Sequence, residues 1–155
     1  MKLTILISLL FFYPIAQVLE NNLSCQVKDS LVTSATTKEN SGDKVRDIFQ
    51  KVEKGIKTGK IDEYEKEMDN LVSITIGPNE HGYYSTNQAL SILHGYFAER
   101  RPVSFGFSKI HETGTSPYAT GRFVYLQKGI RESAQVYVSL TFQDSIWVIG
   151  QFNIY

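Results

Sequence analysis

From Val103 to the end of the chain, apolar residues recur at every second position, and this alternation constrains the fold more than any other feature. Val103, Phe105 and Phe107 alternate with Ser104, Gly106 and Ser108. Ala119, Gly121, Phe123 and Tyr125 alternate with Tyr118, Thr120, Arg122 and Val124. Val136, Val138, Leu140 and Phe142 alternate with Tyr137, Ser139 and Thr141, and Ile146, Val148, Gly150, Phe152 and Ile154 with Trp147, Ile149, Gln151, Asn153 and Tyr155. Successive side chains of a strand point to opposite faces, so each run predicts a strand with one apolar face. Gly114-Thr115-Ser116-Pro117, Lys128-Gly129 and Gln143-Asp144-Ser145 supply the turns between them. The pattern predicts a four-stranded antiparallel meander whose apolar face must be covered.

The cover is encoded upstream. Between Asp43 and Thr58, Val45, Ile48, Phe49, Val52 and Ile56 fall on one stripe at the helical period, with Lys44, Arg46, Asp47, Lys51, Lys54 and Lys57 opposite. Ser41 or Asp43 can cap this helix and Gly59 can end it. Asp62, with Glu65 three residues on, opens a short second helix whose carboxylates form a solvated face. Leu71 to Ile76 reads as a short β-branched strand, broken at Gly77-Pro78-Asn79. A third helix opens at Tyr84-Ser85-Thr86-Asn87-Gln88, where Ser85 and Gln88 have capping-box spacing. Ala89, Leu90, Ile92, Leu93, Tyr96 and Phe97 form its apolar face, Arg100-Arg101 sit near its C-terminal end, and Pro102 stops it. Helices followed by strands give an α+β domain over residues 43–155: three N-terminal helices packed on a curved, mainly antiparallel four-stranded sheet. Phe105, Phe123, Val138 and Phe152 should be buried against Phe49, Leu93 and Phe97.

The first residues read as an address. Met1-Lys2 precedes an uncharged apolar run from Leu3 to Ala16. The run is shorter than the roughly 20 residues of a membrane span and has the length of a signal-peptide core. Residues 1–16 are therefore expected to be a signal peptide, and residues 17–42, rich in Ser, Thr and Asn, a polar tether. The mature protein is expected to be periplasmic or secreted, with no membrane span. Acylation of Cys25 as a lipoprotein is the weaker alternative, because Asn22-Leu23-Ser24 does not match the residues that precede a lipidated cysteine. An interchain disulfide through Cys25 stays open.

Residues similar to a known family recur in order along the domain. Tyr84-Ser85-Thr86-Asn87-Gln88-Ala89 followed by Tyr96-Phe97, the run Phe107 to Ser116, Tyr118-Ala119-Thr120-Gly121, Val136-Tyr137-Val138 and Trp147-Val148-Ile149-Gly150-Gln151 resemble an uncharacterised exported Bacteroidetes family, domain of unknown function 4783. The resemblance covers roughly Asp43 to Tyr155, about one ordinary domain. It implies a cystatin-like, nuclear-transport-factor-2-like fold and an envelope location. It implies no activity, since that fold hosts enzymes, binding modules and dimerisation domains.

The chemistry-bearing residues are few. Lys and Arg total 16 against 16 for Asp and Glu, which argues against a nucleic-acid partner. With one cysteine and with His81, His94 and His111 lacking ligand spacing, neither a metal site nor any other cofactor is expected. If the alternation holds, His111 continues the interior face of Val103, Phe105 and Phe107. There it would join Tyr96 and Tyr125 at the mouth of a cone between sheet and helices, a candidate site for a small apolar ligand. No carboxylate falls on the predicted interior, so an isomerase- or hydrolase-like enzyme is the alternative to a non-catalytic binding domain. The opposite sheet face combines Arg122, Tyr137, Trp147, Ile149 and Tyr155 with hydrogen-bonding groups, the mixture enriched in protein interfaces. It is the expected surface for a homodimer or a protein partner.

Overall fold

A computed structural model of the chain describes residues 41–155. The expected signal segment, the tether up to residue 40 and Cys25 lie outside the described residues.

Helix α1 occupies residues 41–58, so Ser41 and Asp43 lie inside it instead of capping it. Its stripe is buried as the period requires, with Val45, Ile48, Phe49, Val52 and Ile56 almost inaccessible. Gly59 ends it at φ +70. The Lys60 N–H donates to the Gly55 carbonyl at 2.9 Å and the Gly59 N–H to the Ile56 carbonyl at 3.3 Å, the Schellman closure that a left-handed glycine permits.

The second helix expected at Asp62 is instead a pair of 3₁₀ turns, Ile61–Glu63 and Glu65–Glu67. Ile61 and Tyr64, three residues apart, both enter the core. Three residues per turn is the 3₁₀ repeat, and the segment is too short to offset the cost of α-helix nucleation. Its carboxylates turn back to α1: Lys54 meets Glu63 at 2.9 Å and Lys51 meets Glu67 at 2.6 Å.

The sheet has six strands, not four: β1 (Met68–Ile76), β2 (Glu80–Ser85), β3 (Arg101–His111), β4 (Tyr118–Gln127), β5 (Ile130–Gln143) and β6 (Ile146–Ile154), in the order β2-β1-β6-β5-β4-β3. The expected meander is β3 to β6. The expected strand Leu71 to Ile76 is β1, and it joins the sheet parallel to β6. Strand β2 was hidden because Glu-His-Gly-Tyr-Tyr-Ser shows no apolar alternation; β1 recruits it across the Gly77-Pro78-Asn79 turn. Helix α2 (Thr86–Ala98) then begins at the expected capping box, where the Ser85 N–H donates to Gln88 Oε1 at 3.1 Å.

Both helices cover one face of the sheet. Phe97 of α2 meets Phe123 edge-on at 5.4 Å, and Phe49 of α1 meets Phe107 at 5.9 Å. Phe105, Phe123, Val138 and Phe152 are buried, as are Phe49, Leu93 and Phe97.

Irregularities in the strands decide which residues share a face. In β3, Phe107 pairs with Gly121 but Lys109 pairs with Thr120, leaving Ser108 as an extra residue. In β6, Gln151 pairs with Ser139 and Ile149 with Leu140, leaving Gly150 extra. Each bulge inverts the parity of everything beyond it. Gly150 faces Thr141, whose hydroxyl a Cβ there would strike. Gly121 passes beneath the backbone of Gly106, which a Cβ there would also strike.

Candidate functional site

Between the helices and the sheet, aromatic side chains pack against one another. Tyr64 stacks on Phe152 at 5.9 Å, Phe123 on Tyr125 at 5.0 Å, and Phe105 packs edge-on against Phe107 at 5.0 Å. At the rim, α2 and the neighbouring strands assemble Tyr96, Arg100, Tyr125 and Glu132. The Arg100 guanidinium lies 3.9 Å from the centre of the Tyr96 ring and 5.6 Å from that of Tyr125. Arg100 Nη1 donates to the Tyr96 carbonyl at 2.8 Å, and the Tyr125 hydroxyl donates to Glu132 Oε2 at 3.2 Å. Burial pushes the Tyr96 hydroxyl well above the ordinary phenol range, with Tyr125 adding to the effect and Arg100 opposing it. Tyr96 is therefore a neutral phenol at physiological pH. Tyr96 and Tyr125 thus come together as the sequence suggested. Arg100, read from sequence only as a charge at a helix end, joins them because the chain turns directly from α2 into β3.

His111 does not join them. The bulge at Ser108 moves it to the outer face, away from the helices, where its ring lies 5.4 Å from that of Tyr118. It also sits at the opposite end of β4 from Tyr125, seven residues or roughly 23 Å along the strand. The site expected from Tyr96, Tyr125 and His111 is therefore divided between two faces and two ends of the sheet.

The same bulge aims Ile110 and Glu112 at α1. Glu112 forms a two-pronged pair with Arg46, Nε to Oε1 at 2.9 Å and Nη2 to Oε2 at 2.6 Å. The hydrogen bond to Arg46, reinforced by its charge, holds the Glu112 carboxyl below the usual carboxylate range. Nearby, the Phe107 N–H on the free side of β3 donates to Glu53 Oε2 of α1 at 3.4 Å. Between these struts lies an open groove of about 560 Å³ floored by Phe49, Phe107 and Ile110. Its carboxylates pair within the protein, Glu112 with Arg46 and Glu53 with Lys57. The sequence did not reveal this groove, because simple alternation sends Glu112 to the other face.

Two of the expected interface residues leave the outer face. The bulge at Gly150 turns Trp147 and Ile149 toward the helices. Ile149 is fully buried against the core, and Trp147 Nε1 donates to Ser41 Oγ of α1 at 2.8 Å. Both are corrected from interface residues to packing residues. Arg122, Tyr137 and Tyr155 remain on the outer face. Tyr118 and Tyr137 stack across β4 and β5 at 5.8 Å, and Asn153 Nδ2 donates to the Tyr155 hydroxyl at 2.9 Å.

Among the described residues no three His, Cys, Asp or Glu side chains are grouped to hold a metal ion. Among them, too, no helix is long and apolar enough to cross a membrane.

Residues 49–154 match the family model of DUF4783, a domain of unknown function. A solved DUF4783 family protein from Bacteroides uniformis is 18% identical, with a TM-score of 0.59 over 68% of this chain and 93% of that one. One from Bacteroides fragilis is 16% identical, with a TM-score of 0.56 over 66% of this chain and 92% of its own. A nuclear-transport-factor-2-like protein from Anabaena variabilis is 17% identical, with a TM-score of 0.58 over 75% of this chain and 88% of that one. No curated protein sequence matches the chain. At these identities the solved structures speak for the fold, while the family match spans most of the domain built above. The chain is a member of the DUF4783 family with a nuclear-transport-factor-2-like α+β fold.

Proposed function

We propose that this protein is an exported, non-catalytic binding module whose contact surface is the outer face of its sheet. The observation that carries the reading is the aromatic packing between the helices and the sheet at the predicted cone. Tyr64, Phe105, Phe123 and Phe152 are buried there and in ring contact with neighbouring aromatics. This favours a partner at the surface over a small apolar ligand in the cone. Among the described residues the enzyme alternative lacks a buried carboxylate: Glu132, the acid at the rim, is exposed and accepts a hydrogen bond from Tyr125. Export rests on Lys2 and the uncharged run to Ala16.

Photo-crosslinking in the native host tests the surface. A photoreactive residue in place of Thr120 or Tyr137 is expected to capture another polypeptide, and one in place of Gln50 on α1 is not. Capture from Gln50 alone, or from no position, overturns the reading. Mass spectrometry of the same material is expected to find a chain beginning near Gln17. A diacylglyceryl group on an N-terminal Cys25 would make the protein a lipoprotein instead.

A further inference from the structure

The geometry points to an acidic protein surface, and not a second copy of this chain, as the occupant of the outer sheet face; the inference rests on the contact surface proposed above. Its basis is how the charges are distributed. The register puts Arg101, Lys109, Arg122 and Arg131 at outer positions of three adjacent strands: Arg101 and Arg131 flank Leu126, Lys109 flanks Thr120, and Arg122 lies between. All four are exposed. Among the described residues none of them forms an ion pair, and no outer position of β3, β4, β5 or β6 holds Asp or Glu.

The cations of α1 are treated differently. Lys44, Arg46, Lys51, Lys54 and Lys57 each have a carboxylate within 4 Å, from Asp47, Glu112, Glu67, Glu63 and Glu53 respectively. The formal net charge of the chain is +0, yet among the described residues carboxylates pair with the cations of α1 and none pairs with the four sheet cations. The stripe from Lys109 to Arg131 runs about six residues, roughly 20 Å, and is three strands wide.

This arrangement selects among occupants. A symmetry-related copy of the same face would set one cationic stripe against another, and like charges brought together and desolvated penalise pairing. An acidic surface would instead give each cation a partner. Between the cations lie neutral groups suited to a protein: the stacked Tyr118 and Tyr137, with Gln135 and Ser139 beside them. Arg and Tyr are the residues that concentrate binding energy at protein interfaces. Four charges spread over roughly 20 Å, interrupted by amides and phenols, make a sparse match for the continuous charge of a nucleic acid.

The test uses the full mature chain, isotopically labelled, and a synthetic peptide alternating Glu with Leu as probe. The controls are a Lys–Leu peptide of equal length, a thymidine oligonucleotide and vesicles rich in phosphatidylglycerol. The Glu peptide is expected to shift the amide resonances of Lys109, Arg122 and Arg131 and to leave those of α1 in place. Its affinity should fall with added salt and drop about tenfold or more in Arg122→Glu/Arg131→Glu. An unchanged circular dichroism spectrum shows that this variant folds; if it does not, Arg122→Gln with Arg131→Gln supplies the same comparison. Shifts confined to α1, or affinity unchanged by the charge substitutions, overturn the inference. So does tighter binding of the oligonucleotide or the vesicles, which would make the partner another kind of polyanion. A concentration-dependent dimer that Tyr137→Ala weakens would uphold the contact surface and overturn the acidic partner, so the two proposals fail separately.

Discussion

Tyr64 shows how a single residue can be central to the packing and invisible in the sequence. It is fully buried, stacks on Phe152, and occupies space left open by Gly55, where a Cβ would come within 2.6 Å of its ring. Among the described residues its hydroxyl has no hydrogen-bond partner, and burial pushes its ionisation far above the ordinary phenol range. Removing that oxygen keeps the stacked ring and relieves a desolvated group. Tyr64→Phe is therefore expected to leave stability unchanged or to raise it by up to about 1 kcal/mol, measured by urea unfolding. A loss of that size would show that the hydroxyl finds a partner in solution. The sequence gives no hint of this role, since Tyr64 stands between Glu63 and Glu65 in a segment too short to display a period.

At the scale of elements, α2 and the α1–β3 contact make separable contributions. Phe97 anchors α2 to the sheet through Phe123, and Phe97→Ala is expected to cost about 3–5 kcal/mol, as large core truncations do. A cost below about 1 kcal/mol would mean that the helix docks by other residues. The Arg46–Glu112 pair joins α1 to the far end of β3 at an exposed site, and its contribution should depend on pH. Glu112 has a depressed carboxyl pKa in the folded state, so the stabilisation is complete above the ordinary value of 4.5 and is lost as pH falls from there through the folded value. A double-mutant cycle of Arg46→Met and Glu112→Gln should show coupling at neutral pH that vanishes in acid. Coupling that persists in acid would point to packing between the side chains instead of charge. Neither contact surprises in kind, but only the first was legible. The Phe97 stripe and the Phe123 alternation are each local and periodic. The position of Glu112 depends on one extra residue, Ser108, and nothing in Phe107-Ser108-Lys109 distinguishes a bulge from an unbroken strand.

For the whole molecule, the order of helices and strands followed from local patterns, whereas the faces followed from register. That is why Ala119, Phe123 and Tyr125 of β4 and Val136, Val138 and Leu140 of β5 were foreseen as buried. Trp147, Ile149 and His111, each beyond a bulge, were assigned to the wrong side. Strand β2 was missed for a different reason: it gains its structure from β1 and lacks an apolar rhythm of its own. The charge asymmetry was equally hidden, because equal totals of acid and base say nothing about where each lies. The edge formed by β3 has a consequence for how the protein behaves in a crowd. Among the described residues β3 is an edge strand of eleven residues, and such an edge is a template on which strands of other molecules can assemble. Here the line is broken twice by irregular pairing, and the Phe107 N–H is already engaged by Glu53. The other edge, β2, offers only six residues. The two borders of the sheet thus discourage runaway strand addition, and concentrated protein is expected to show no fibre signal by thioflavin fluorescence.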